Sequence, residues 1–200
     1  MASKTDQLIR FFKAQGAVVR FAALLKAGFH SDTLAALEKQ GAVEKVSRGL
    51  YKLSTSSVSS HPDLVSACLQ APQGVVCLLS ALSFYEVTSE IPRQVEMAIP
   101  RGVRVRKIQY PPVKQYQFSQ EAWAAGIEER KIEGHSIRVY DLAKTVVDCF
   151  KFRNKVGADV AREALKIAVI EKHVPPKDIM HYAKICRVAN IIQPILEAII

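Results

Sequence analysis

The chain has 200 residues, enough for one large or two small cores, and 49% are hydrophobic at a mean hydropathy of +0.06, which excludes a disordered or fibrous chain. A formal net charge of +9 and a pI near 9.5 favour an anionic partner, nucleic acid first. No apolar run approaches the roughly 18 residues of a membrane span, and the first residues lack the apolar core of a signal peptide, so a cytoplasmic protein with no membrane partner is expected.

In chain order, Ser3 and Asp6 can form a capping box for a first helix with Leu8, Ile9 and Phe12 on its apolar face, ending before Gly16. Val18 and Val19 suggest a short strand. Phe21, Leu24 and Leu25 repeat at helical spacing and stop at Gly28. Ser31 is then a favoured N-cap for a helix over 31–40 carrying Leu34 and Leu37, with Gly41 as its left-handed C-cap. Two short runs, 43–46 and 50–53, flank Ser47-Arg48-Gly49, where Gly49 permits a tight reversal. Helix, strand, helix, turn, helix and hairpin in this order predict a winged helix-turn-helix.

Such a unit binds DNA by laying its recognition helix in the major groove while basic residues on the wing and flanking helices meet phosphates. The N-terminal turn of the 31–40 helix offers His30, Ser31, Asp32 and Thr33; the wing carries Lys45, Arg48 and Lys52; and Arg20, Lys26 and Lys39 would add contacts that position without selecting sequence. Residues 1–60 hold nine Lys or Arg against four Asp or Glu, so this third of the chain carries +5 of the +9. The helix has no Arg or Asn to read bases, which leaves part of any specificity to Arg48 in a minor groove or to DNA shape. The competing reading is a protein–protein adaptor.

The run Ser54-Thr55-Ser56-Ser57-Val58-Ser59-Ser60 cannot bury apolar surface and reads as a linker. The predicted organisation is a DNA-binding domain over 1–53, a Ser-rich linker over 54–62 and an α+β domain over 63–200. In the last, Asp63, Leu64, Val65, Cys68 and Leu69 suggest a helix ending near Pro72, and the nearly unbroken apolar run 75–84 suggests a helix buried on several sides. Strands are expected over 94–99, 103–109 and 113–118, then a brief helix around Trp123. A hairpin of 127–132 and 136–140 turns about Glu133-Gly134-His135. Helices are expected over 141–153, 157–172, 176–186 and 194–200. The fold class is therefore α+β, a winged helix followed by a larger unit with a small mixed sheet and C-terminal helices.

Several strings resemble the AbiEi family, the antitoxins and transcriptional regulators of type IV toxin–antitoxin and phage-abortive systems. They are Arg48-Gly49-Leu50-Tyr51; Ser80-Ala81-Leu82 followed by Val87-Thr88 and Ile91-Pro92; Ala98-Ile99-Pro100-Arg101-Gly102; the continuous stretch 139–153, which opens Val139-Tyr140-Asp141-Leu142-Ala143-Lys144; and Gly157 with Asp159-Val160-Ala161. They span nearly the whole chain in order, departing at Phe84-Tyr85-Glu86, where relatives often carry His-Gly. The resemblance implies a winged helix that represses its own operon by binding promoter inverted repeats, two copies meeting on the DNA. It also implies a C-terminal domain that counteracts a nucleotidyltransferase-like toxin without a stable complex.

Arg101, Arg104, Arg106 and Lys107 put four cations in seven residues: either a second nucleic-acid surface or a solvated edge strand. Lys144, Asp148 and Lys151 share one helix face, read as a surface ion-pair ladder that doubles as a candidate antitoxin surface. A metal-dependent nuclease can be sketched from Asp63, Glu129 and Lys131, but no Gly-rich phosphate loop, nucleophile elbow or paired-His motif points to an enzyme. Cys68, Cys77, Cys149 and Cys186 lack Cys-x-x-Cys spacing and suit buried reduced thiols, so neither metal nor cofactor is expected.

Overall fold

A computed structural model describes residues 3–16, 18–54, 61–104, 107–132 and 134–200. The first unit runs α1 (Lys4–Gln15), β1 (Val18–Arg20), α2 (Phe21–Lys26), α3 (Ser31–Lys39), β2 (Val43–Ser47) and β3 (Leu50–Leu53). Its three strands lie in the order β1-β3-β2, all antiparallel, which is the winged-helix arrangement. The Asp6 N–H donates to Ser3 Oγ at 3.1 Å and the Ser3 N–H donates back to the Asp6 carboxylate at 3.2 Å, so the capping box opens α1. Leu8, Phe12, Leu24, Leu34 and Leu37 close against Val19, Val43 and Leu53 to form a small core. Gly41 (φ +69) ends α3, the Ala42 N–H returning to the Leu37 carbonyl, and Gly49 (φ +78) turns the wing. The cap at the other end of α3 differs from expectation. His30, extended after the Gly28 turn, is the N-cap with no side-chain cap bond, and Ser31 is already helical with its Oγ 3.3 Å from Asp32.

The second unit runs α4 (Pro62–Gln70), β4 (Val75–Val76), α5 (Leu78–Phe84), β5 (Val95–Pro100), β6 (Val113–Phe118), α6 (Gln120–Ala124), β7 (Ile127–Ile132) and β8 (His135–Tyr140). It finishes with α7 (Leu142–Lys151), α8 (Arg153–Val156), α9 (Ala158–Ile170), α10 (Pro176–Ile185) and α11 (Ala189–Glu197). Its sheet has the order β6-β5-β4-β8-β7; β4–β8 and β5–β6 are parallel and the other pairs antiparallel. On one face, Val76, Met97, Ile99 and Val139 meet Leu64, Ala67 and Ala71 of and just after α4. On the other, Val75, Ala98, Tyr116, Phe118 and Tyr140 meet the α7, α9, α10 and α11 layer. Among the described residues no helix is long and apolar enough to cross a membrane.

Three expectations are corrected. The apolar run 75–84 is not one helix: Val75 and Val76 form a central strand, and Leu78, in a left-handed conformation at φ +50, turns the chain directly into α5. Apolar continuity alone does not separate a buried helix from a central strand. The segment 103–109 forms no strand among its described residues. Because β5 and β6 are parallel, this segment must carry the chain back along the sheet, and Val103 and Ile108 pack on the α4-side core. The last helix begins at Ala189, five residues before the expected start, and contains Pro194.

The two units are packed together. Val18 and Leu50 from the outer face of the winged-helix sheet share a buried cluster with Val65 of α4 and Ile137 of β8, flanked by Cys68, Leu69, Phe84 and Ile132. The Arg20 guanidinium donates to the Leu69 carbonyl, and a Cβ added at Gly134 would lie 3.3 Å from the Gln15 carbonyl. The predicted linker falls largely on residues 55–60, which lie outside the described residues.

Candidate nucleic-acid interface

Burial of Leu34 and Leu37 fixes the orientation of α3. At about 100° per residue, the opposite stripe is Asp32, Ala35, Ala36 and Lys39, and all four are exposed. Of the four residues expected to face bases, His30, Ser31 and Asp32 are exposed and Thr33 is half-buried at the flank. The central alanines went unnoticed in the sequence. Their small size permits close approach of the helix to a groove floor, and their methyl groups suit thymine methyls. Lys26, at the end of α2, is exposed, as is Lys39 at the end of α3.

The wing is divided. Lys52 pairs with Glu44 across the hairpin at 3.2 Å, and Lys45 and Lys52 line a cleft of about 300 Å³ that also holds Glu44, Asp63, Ser66 and Tyr110. That side of the wing is close to charge-balanced. A second cleft, of about 520 Å³, is lined by Arg20, Phe21, Ala22, Arg48, Gly49 and Leu50 from the winged helix and by Leu69, Gln70, Lys107 and Ile108 from the larger unit. Its lining contains three cations and no acid. The Phe21 N–H donates to the Gly49 carbonyl at 2.8 Å, so the wing tip is tied to the start of α2.

Arg101 and Arg104 are exposed in the 101–112 segment together with Lys107, whereas Arg106 lies outside the described residues. The edge-strand alternative does not apply to the described part of this segment, since it is a crossing loop rather than a strand. The surface ladder on α7 is also corrected. Lys144 and Asp148 are fully buried, 2.6 Å apart, and only Lys151 is partly exposed. The Lys144 ammonium lies 4.1 Å from the Tyr140 ring centroid and 5.0 Å from that of Phe118, and the Cys186 thiol donates to Asp148 at 3.5 Å. Burial pushes the Asp148 carboxyl above its ordinary range, against the opposing pull of Lys144. Such a pair presents no surface to a partner.

Two further polar groups, Glu96 and Asp141, are held in hydrogen bonds within the larger unit. Glu96, within an otherwise apolar strand, accepts from the Leu79 N–H at 2.9 Å and the Tyr116 hydroxyl at 2.7 Å, so its carboxylate is used at the start of α5. Asp141 caps α7 by accepting from the Lys144 N–H at 2.7 Å and also accepts from the Tyr182 hydroxyl at 2.6 Å; burial raises its pKa. Of the residues in the nuclease sketch, Asp63 lies on α4, while Glu129 and Lys131 are exposed on β7, with Glu129 accepting from Ser136 at 3.2 Å.

The fold and these surfaces define a winged helix docked on a larger α+β unit. A solved structure, the RV2827C protein of Mycobacterium tuberculosis, matches 99% of this chain and 78% of its own length at a TM-score of 0.65 and 11% sequence identity. At that identity the likeness shows a shared fold. No family model matches the chain. No curated protein matches it either.

Proposed function

We propose that this protein is a DNA-binding transcriptional autorepressor and antitoxin, acting inside the cell, of the type IV class that its sequence strings resemble. The observation that carries the DNA-binding half is the exposed α3 stripe of Asp32, Ala35, Ala36 and Lys39, with Lys26 exposed at the end of α2, on a winged-helix frame. In this reading α3 enters the major groove and the lysines meet flanking phosphates. Promoter inverted repeats bring two copies together. The larger unit counteracts a nucleotidyltransferase-like toxin. This half of the reading rests on the sequence resemblance, and because Lys144 and Asp148 are buried, it assigns the contact to other residues.

The full-length chain tests both halves. Placed before a reporter driven by its own upstream DNA, it should repress, and Ala36→Glu should abolish repression while leaving toxin neutralisation intact. Unchanged repression by a folded Ala36→Glu variant would remove α3 as the reading helix. Lack of neutralisation by the wild type would remove the antitoxin assignment.

A further inference from the structure

We propose that the all-cationic cleft between the wing and Lys107-Ile108 of the larger unit holds backbone phosphates of the same duplex that α3 reads, so that the larger unit takes part in DNA binding. This rests on the DNA-binding reading above and adds to it a second, two-unit contact. Two clefts border the Val18–Leu50–Val65–Ile137 cluster, and they differ in charge. One mixes Lys45 and Lys52 with Glu44 and Asp63, whereas the other gathers Arg20, Arg48 and Lys107 without an acid. Three like charges lining one cleft repel one another, and an anion seated among them relieves that repulsion.

The cleft is also built in advance. Arg20 is held by its bond to the Leu69 carbonyl, which leaves other guanidinium donors for a phosphate oxygen. Arg48 sits on a wing tip fixed by the Phe21–Gly49 hydrogen bond and by burial of Leu50. The third cation, Lys107, comes from the other unit, so the site exists only while the units are docked. Phe21, Leu50, Leu69 and Ile108 supply the apolar part of its lining. Arg20 and the wing backbone therefore need little ordering on binding, which favours affinity. With its hairpin pinned against α4, Arg48 faces this cleft and serves as a phosphate contact rather than as the minor-groove probe its position at the wing tip suggested.

The test is binding of the full-length protein to its own upstream duplex over a salt series, with Lys107→Ala, Lys107→Arg and, on the opposite layer, Lys166→Ala. Each phosphate contact contributes about 0.9 to the slope of log K against log salt, so Lys107→Ala should flatten that slope by about one. The preference over a scrambled duplex should be unchanged, Lys107→Arg should restore the slope, and Lys166→Ala should leave it alone. Selective wild-type binding with the same slope in Lys107→Ala overturns this proposal and spares the DNA-binding reading. Absence of selective wild-type binding at any salt overturns both. Selective binding to structured RNA alone, with a Lys107-dependent slope, overturns the duplex assignment.

Discussion

Removing one partner of the Lys144–Asp148 pair should be far more damaging than removing both. At 2.6 Å, and with an effective dielectric of about 20, the attraction is about 6 kcal/mol, against a desolvation penalty of several kcal/mol for each buried ion. The pair therefore contributes little net stability, while each charge depends on the other. Lys144→Met alone, or Asp148→Leu alone, should lose about 3–5 kcal/mol, a large share of the 5–15 kcal/mol that holds a typical domain folded. The double variant should return to within about 1 kcal/mol of wild type or exceed it, since Tyr140 and Phe118 already provide apolar surroundings. Urea titration followed by far-ultraviolet circular dichroism measures all four corners of the cycle. Additive losses in the double variant, or single losses under about 1 kcal/mol, would refute the reasoning.

Three other outcomes follow from the same structure. Gly126→Ala should lower Tm by more than about 4 °C: its left-handed φ of +74 alone costs about 1–2 kcal/mol, and the new Cβ would meet Lys144 Cβ at 2.7 Å and Asp141 Oδ2 at 2.8 Å; an unchanged melting curve would contradict this. Burial pushes the thiols of Cys68 and Cys186 from 9.0 up to about 12, so unfolded thiols ionise first and stability falls as pH rises from 9 to 12. At pH 10 each thiol subtracts about 1.4 kcal/mol, and Cys68→Ala should remove one such increment from the stability difference between pH 8 and pH 10. Leu50→Ala should cost about 2–5 kcal/mol and leave a single unfolding transition, because Leu50 belongs to the cluster shared by both units; separation into two wild-type transitions would show that the units unfold independently.

Local signals were the legible ones. Ser3 with Asp6, Gly41 and Gly49 each act within a few residues, and the structure uses each for the expected cap or turn. The β2–β3 wing and the β7–β8 hairpin were legible for the same reason, since each pairs neighbours in sequence, whereas β1 meets β3 across two helices and was placed only by the order of elements. Parallel pairing of β5 with β6 was hidden because it depends on where the chain returns, and the cations of 101–107 then looked like part of a strand. The i, i+4 spacing of Lys144 and Asp148 revealed that they meet but not on which side of the helix water lies. A signal was available: Ala143, Val146, Val147, Cys149 and Phe150 surround α7 with apolar groups, and a helix apolar all round is buried. For the candidate DNA surface, sequence located α3 and its charges, but the orientation of Ala35 and Ala36 required knowing which leucines face the core. The cationic cleft required the docking of two units and had no local signature.

The central claim is that the outward stripe of α3 reads DNA. It is tested most directly by measuring binding of the purified protein to its own upstream duplex and to a scrambled duplex, wild type beside Ala35→Glu/Ala36→Glu. Both positions are exposed and glutamate is a good helix former, so the variant should keep its fold while placing two bulky anions where bases and phosphates would approach. Salt-sensitive wild-type selectivity, lost by at least a hundredfold in the folded variant, is the result predicted. Selective binding that survives both substitutions, or a wild type indifferent to sequence, would contradict the claim.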